Sequence, residues 1–115
     1  MNDFISLFTA ATLNVAVQGE WSYIGQCENK RHMFSSTNDY FVLKNKKKGW
    51  GQIESKEYSV SNNIVTLGNK ETGDFTSIRI EKITPSYMSF CSLIVIDNTW
   101  DCDPSFYMER CNARQ

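Results

Sequence analysis

Large apolar residues are densest in the last third of the chain. From Met88 to Ile96 almost every position that is not Ser or Cys is large and apolar, and Leu93, Ile94, Val95 and Ile96 follow one another without a break. An alternating strand buries one face, whereas an unbroken run buries both, so this stretch predicts a strand in the middle of a sheet or in the wall of a small closed barrel. Asp97, Asn98, Asp101, Asp103 and Pro104 supply turn chemistry, with Trp100 among them at the tip, and residues 106–111 read as the returning strand.

Upstream the pattern is one of short strands separated by turns. Trp21, Tyr23, Gly25 and Cys27 fall on one face of a strand that Gly19 opens. The segments RHMF and NDYFVLK follow around SST, and NKKKG turns the chain into a strand from Trp50 to Glu54. EYSV and NIVTL join across Ser61 and Asn62, GNKETG leads to DFTSIRIEKI, and Thr84-Pro85 ends that strand before the long one at Tyr87. The expectation is an all-β, disulfide-stapled antiparallel meander of about seven to nine strands, a small barrel or sandwich.

Residues 1–18 form a separate apolar segment ahead of a single β domain at 19–115. One reading is a secretory signal, although Asp3 stands where a basic start is usual. The other places it in the fold, with Phe4, Ile5, Phe8 and Ala11 at helical spacing and Leu13, Val15 and Val17 alternating as a first strand. No stretch is long and apolar enough to predict a membrane span.

At 115 residues the chain supports one core, and disulfides would add useful stability at this size. Its four cysteines, Cys27, Cys91, Cys102 and Cys111, read as two disulfides of an exported, periplasmic or secreted protein. Three pairings exist. A hairpin turning near Trp100 would set Cys91 opposite Cys111 and leave Cys27 for Cys102. Reduced buried cysteines and a zinc set of Cys91, Cys102, Cys111 and His32 are the alternatives, the latter without a CxxC knuckle. The net charge of −1 provides no field to recruit nucleic acid, although Lys30, Arg31 and Lys44 to Lys48 make the middle basic and the terminal hairpin is acidic.

A Gly-x-Trp at Gly19 and Trp21, strands alternating around Tyr58, Ile64, Ile78 and Ile83, and an Arg-Cys at Arg110 and Cys111 together resemble the small lipocalin-like barrels of bacteria. The outline, over about residues 19–111, is similar also to compact bacterial inhibitor barrels that block secreted proteases or lysozymes, and to immunity proteins that neutralise exported hydrolases. The resemblance implies a structural role for Gly19 and Trp21, with Trp21 closing one end of the barrel.

The chain has one histidine, His32, among Lys30, Arg31 and Met33, and it reads as a surface or edge residue. A Cys27–His32 dyad would need an unpaired Cys27, and Asp97, Asp101 and Asp103 lack the spacing of a calcium loop. The expectation is a non-enzymatic protein without cofactor or metal. Its partner-binding residues are Asp97, Asn98, Trp100, Asp101 and Asp103, a rigid aromatic among acids suited to a cationic secreted hydrolase or toxin. A carrier of a small apolar ligand, held among Trp21, Tyr23, Phe41, Tyr58 and Met88, is the alternative. A free edge strand would offer a route to a homodimer.

Overall fold

The computed structural model describes residues 10–69 and 71–114. A short helix, α1 (Ala10–Ala16), precedes eight strands: β1 (Gly19–Tyr23), β2 (Lys30–Phe34), β3 (Asp39–Lys46), β4 (Gly49–Ser61), β5 (Ile64–Gly68), β6 (Phe75–Ile83), β7 (Tyr87–Ile94) and β8 (Thr99–Arg110). Each strand pairs antiparallel with the next, and β1 pairs with β8, so the meander closes into a barrel. The stretches expected as separate strands around Trp50 and Tyr58 are one strand, β4, that runs past a register shift opposite Val42 and Leu43. Closure leaves no free edge among these eight strands, which removes the expected edge-strand route to a homodimer.

Turn chemistry explains the hairpins. Asn38, Asn62 and Asn98 all take positive φ, a conformation that asparagine tolerates better than most residues. Ser61 pairs with Ile64, so the tight turn is Asn62-Asn63, one residue later than the sequence expectation.

In an antiparallel meander successive connections alternate between the two ends of the barrel. The β2–β3, β4–β5 and β6–β7 turns lie at one end, and α1 covers it. The residues expected to alternate as a first strand form the helix and the turn that ends it: Leu13 in α1 and Val17 just after it, one turn apart, are buried, while Val15 is exposed. The segment at residues 1–9, with Phe4, Ile5 and Phe8, lies outside the described residues. Trp21 is wholly buried under α1 and its indole N–H donates to the Val17 carbonyl at 2.8 Å. Arg110 lies over the Trp21 ring at 4.1 Å and donates to the carbonyls of Ala16, Gln18 and Pro85, so one guanidinium ties the helix end, a turn and the last strand together. Gly19 sits at φ 121°, and a Cβ there would collide with that guanidinium. The Gly-x-Trp pattern therefore serves the closed end.

The cysteine pairing differs from the sequence expectation. Cys27 bonds Cys111 and Cys91 bonds Cys102. The β7–β8 hairpin turns between Ile94 and Thr99 rather than at Trp100, and Cys91 faces a bulge that runs from Cys102 to Ser105. That bulge brings Cys102, not Cys111, beside Cys91. The β1–β2 loop folds back over the outside of the barrel, so Gly25 and Cys27 do not continue β1 and Cys27 meets Cys111 in the C-terminal tail. Arg31, grouped with the basic middle of the sequence, is buried beneath these segments. It donates to the carbonyls of Cys27 and Asn112, pairs with Glu20 and Glu28, and lies 5.0 Å over the Trp50 ring.

Candidate functional site

The strands that close the barrel also decide which polar residues enter it. Inward positions of β1, β2, β3 and β4 carry a row of aromatic rings. Tyr58 meets Phe34 at 5.1 Å between ring centres, Phe34 meets Tyr40 at 5.1 Å, Tyr40 meets His32 at 6.0 Å, and His32 meets Tyr23 at 5.9 Å. The row begins beside the closed end, where the Tyr58 hydroxyl donates to the Ser35 carbonyl. It ends at Tyr23, which is 43 % exposed at the opposite end. The far end of this row bounds a cavity of about 170 Å³ inside the barrel mouth. Leu67, Ile78, Met88, Phe90 and Met108 form its apolar wall, and Tyr23, His32, Tyr40, Thr76 and Ser92 supply polar atoms.

His32 Nδ1 and the Tyr40 hydroxyl are 2.6 Å apart. Burial is the main reason that His32 is held neutral, its pKa lowered to about 4; the nearby charge of Lys30 adds to the shift and that of Glu54 opposes it. Burial, with help from Glu54 and Tyr23, also raises the Tyr40 pKa, and burial raises that of Tyr23. The pair is therefore a neutral imidazole and a protonated phenol near neutral pH. The direction of this bond follows the imidazole tautomer: with the proton on Nε2 the phenol donates to Nδ1, and with the proton on Nδ1 the phenol accepts. Nε2 makes no hydrogen bond to a described residue.

The sequence reading of His32 as a surface or edge residue is thus corrected. Two-residue alternation puts His32 on the face of Phe34, and the β2–β3 register sets Tyr40 opposite Phe34. The alternation is legible in the sequence, where the neighbouring Lys30 and Arg31 argue against it, and the register is set only by the pairing of the strands. Of the expected ligand-lining residues, Tyr23 and Met88 do border the cavity. Trp21 and Tyr58 are packed into the core at the closed end, and Phe41 lies on the opposite face of β3, in register with Met33 and Ser55.

The expected partner-binding residues lie on or beside the β7–β8 hairpin without forming one surface around Trp100. Asp97 and Asn98 are exposed in the turn, whereas Trp100 is half-buried in β8, opposite Leu93 and 5.3 Å below the Arg79 guanidinium. Asp101 is half-buried opposite Ser92. Asp103 belongs to the β8 backbone, and its side chain lies outside the described residues. The tip itself is apolar. Ile94, Val95 and Ile96 are 40, 58 and 96 % exposed, so the continuous run that predicted burial on both faces leaves the barrel wall and projects from it.

The zinc and dyad alternatives fail on covalent grounds. All four sulfurs are consumed in bridges, leaving no thiolate to serve as ligand or nucleophile. Glu81 lies 3.0 Å from Cys91 Sγ and Arg79 3.2 Å from Cys102 Sγ, so the group that brings a carboxylate to two sulfurs is a disulfide with charged neighbours. Among the described residues no helix is long and apolar enough to cross a membrane. Compared with known protein families, with curated proteins and with solved structures, the chain matches none.

Proposed function

We propose that this chain is a non-enzymatic binding protein of an oxidising compartment, periplasmic or extracellular, that holds a small molecule in the mouth of its barrel. The observation that carries the reading is the His32–Tyr40 pair, which sits in an apolar cavity with one imidazole nitrogen unpartnered among the described residues. Tyr40 belongs to the core and its hydroxyl meets a half-buried imidazole at the cavity wall, and a few convergent polar groups in an apolar pocket are what orient a ligand. The two disulfides support the compartment.

The test is a thermal-unfolding screen of the oxidised protein with small rings, short-chain amphiphiles, amines and acids, followed by methyl spectra of Met88 and Met108. At least one class should raise the unfolding midpoint and shift both methyl signals. A screen in which no compound moves either methyl rejects the reading.

A second reading, an inhibitor or immunity protein for a secreted hydrolase, is favoured by the hairpin tip. Three β-branched side chains project beside Asp97 on a hairpin braced by Cys91–Cys102, and exposed apolar patches of this kind mark protein interfaces. If a lysozyme-type hydrolase is inhibited, Ile96→Asp should weaken inhibition by over about tenfold and leave the folding stability within about 0.5 kcal/mol of the parent. Replacing Trp100 and Asp101 together with Ala tests the flank of the same surface. Unchanged inhibition constants in both variants would move the contact elsewhere.

A further inference from the structure

If the cavity is a ligand site, as proposed above, its size and lining also select the class of guest. Its volume, about 170 Å³, is close to that of an engineered apolar cavity of about 150 Å³ that accepts benzene. One six-membered ring with a small substituent fills such a space, a fused ring system exceeds it, and a long acyl chain would leave most of its length outside the mouth. All of the side chains that border it are uncharged near neutral pH. A carboxylate or ammonium entering would lose its hydration without a counter-charge in the wall.

The polar atoms are equally selective. Tyr40 occupies Nδ1 of His32 in either tautomer, so Nε2 is the imidazole nitrogen left for a guest, a donor when it carries the proton and an acceptor when Nδ1 does. The hydroxyls of Thr76 and Ser92 border the same space and hydrogen-bond to no described residue. A guest hydroxyl serves either tautomer, because its oxygen accepts from Nε2–H while its proton goes to one of those hydroxyl oxygens, or its proton goes to Nε2 while its oxygen accepts from one of those hydroxyls. A bare hydrocarbon ring leaves Nε2 unmet, and a carbonyl offers no proton. We propose that the barrel mouth binds an uncharged single-ring compound carrying one hydroxyl, of the phenol class, with the hydroxyl at His32 Nε2 and the ring between Phe90 and the methionines Met88 and Met108.

The experiment titrates the native oxidised protein with phenol, toluene, benzoate and decanoate by calorimetry, and follows the ¹⁵N resonances of His32 during the phenol titration. Phenol should bind at least about tenfold more tightly than toluene, the worth of one good hydrogen bond. It should shift Nε2 more than Nδ1, and benzoate and decanoate should not compete with it. His32→Phe should keep toluene binding and abolish the preference for phenol. Should that variant not fold, the native resonances decide, since phenol binding without a shift of Nε2 overturns the assignment. Toluene binding as tightly as phenol, or benzoate or decanoate binding in preference to it, overturns the phenol class while the cavity remains a ligand site. If none of the four probes binds, the phenol class is overturned, and the wider screen decides separately whether the cavity holds a ligand at all.

Discussion

His32 shows how one side chain changes meaning with its surroundings. In solution an imidazole is half-charged near pH 6.5. Inside the mouth of this barrel its pKa is about 4, chiefly because burial penalises the charged form. Between these values the unfolded chain binds a proton that the folded chain does not, so folding stability from this group is fully present above about pH 6.5 and is lost as pH falls toward about 4. Against a His32→Gln reference, the native protein should lose stability across that window with a slope no steeper than about 1.4 kcal/mol per pH unit, the one-proton limit. Urea midpoints of both proteins from about pH 7 to about pH 4 would check this, and parallel curves would show that the imidazole is not buried in solution. The position of this residue was legible in part: its alternation with Phe34 was present, but the flanking Lys30 and Arg31 masked it. Arg31 counts by composition with the basic middle of the chain, where guanidinium groups are usually solvated. Here the β1–β2 loop and the tail after β8 supply enough carbonyls and carboxylates to bury one.

At the scale of elements, the two disulfides have different reach. Cys27–Cys111 closes 84 residues and joins the tail after the last strand to the first loop of the barrel, whereas Cys91–Cys102 closes 11 residues within a single hairpin. In the chain-entropy account the long closure contributes about 4–5 kcal/mol and the short one about 3 kcal/mol. Paired Cys→Ala variants should therefore lose more stability at Cys27 and Cys111 than at Cys91 and Cys102, as read from denaturant midpoints. An equal or reversed order would show that strain or residual unfolded structure outweighs loop closure. The helix carries a comparable lesson. Leu13, Val15 and Val17 alternate as a strand would, but α1 is a short helix whose flanking buried positions, Leu13 and Val17, satisfy helical spacing as well. In a segment this short the two periods share residues, and the docking of Val17 and Ala16 on Trp21 and Arg110 decides between them.

For the whole molecule, closure of the meander does two things at once. It removes the unpaired strand edges, and it separates an end sealed by α1, Trp21 and Arg110 from an end that contains the His32–Tyr40 pair. The apolar tip at Ile94, Val95 and Ile96 belongs to a connection at this second end, so both readings of function fall on the same half of the protein. The two are separable because the tip variant and the His32 variant alter different surfaces.

Local patterns in the chain were enough for the all-β class, the approximate number and position of the strands, the asparagine-, glycine- and proline-marked turns and the bridging of the cysteines. Each of these is a property of a few neighbouring residues, set by side-chain alternation, by allowed φ values and by composition. Other features arose only when the strands came together: which cysteines pair, the projection of the run from Ile94 to Ile96, the burial of Arg31, and the meeting of His32 with Tyr40 in the barrel mouth. These depend on strand register, where the hairpin turned, and where a bulge such as that from Cys102 to Ser105 absorbed extra residues. A shift of register by one residue exchanges the inner and outer faces of a strand, and no local pattern in the chain fixes it.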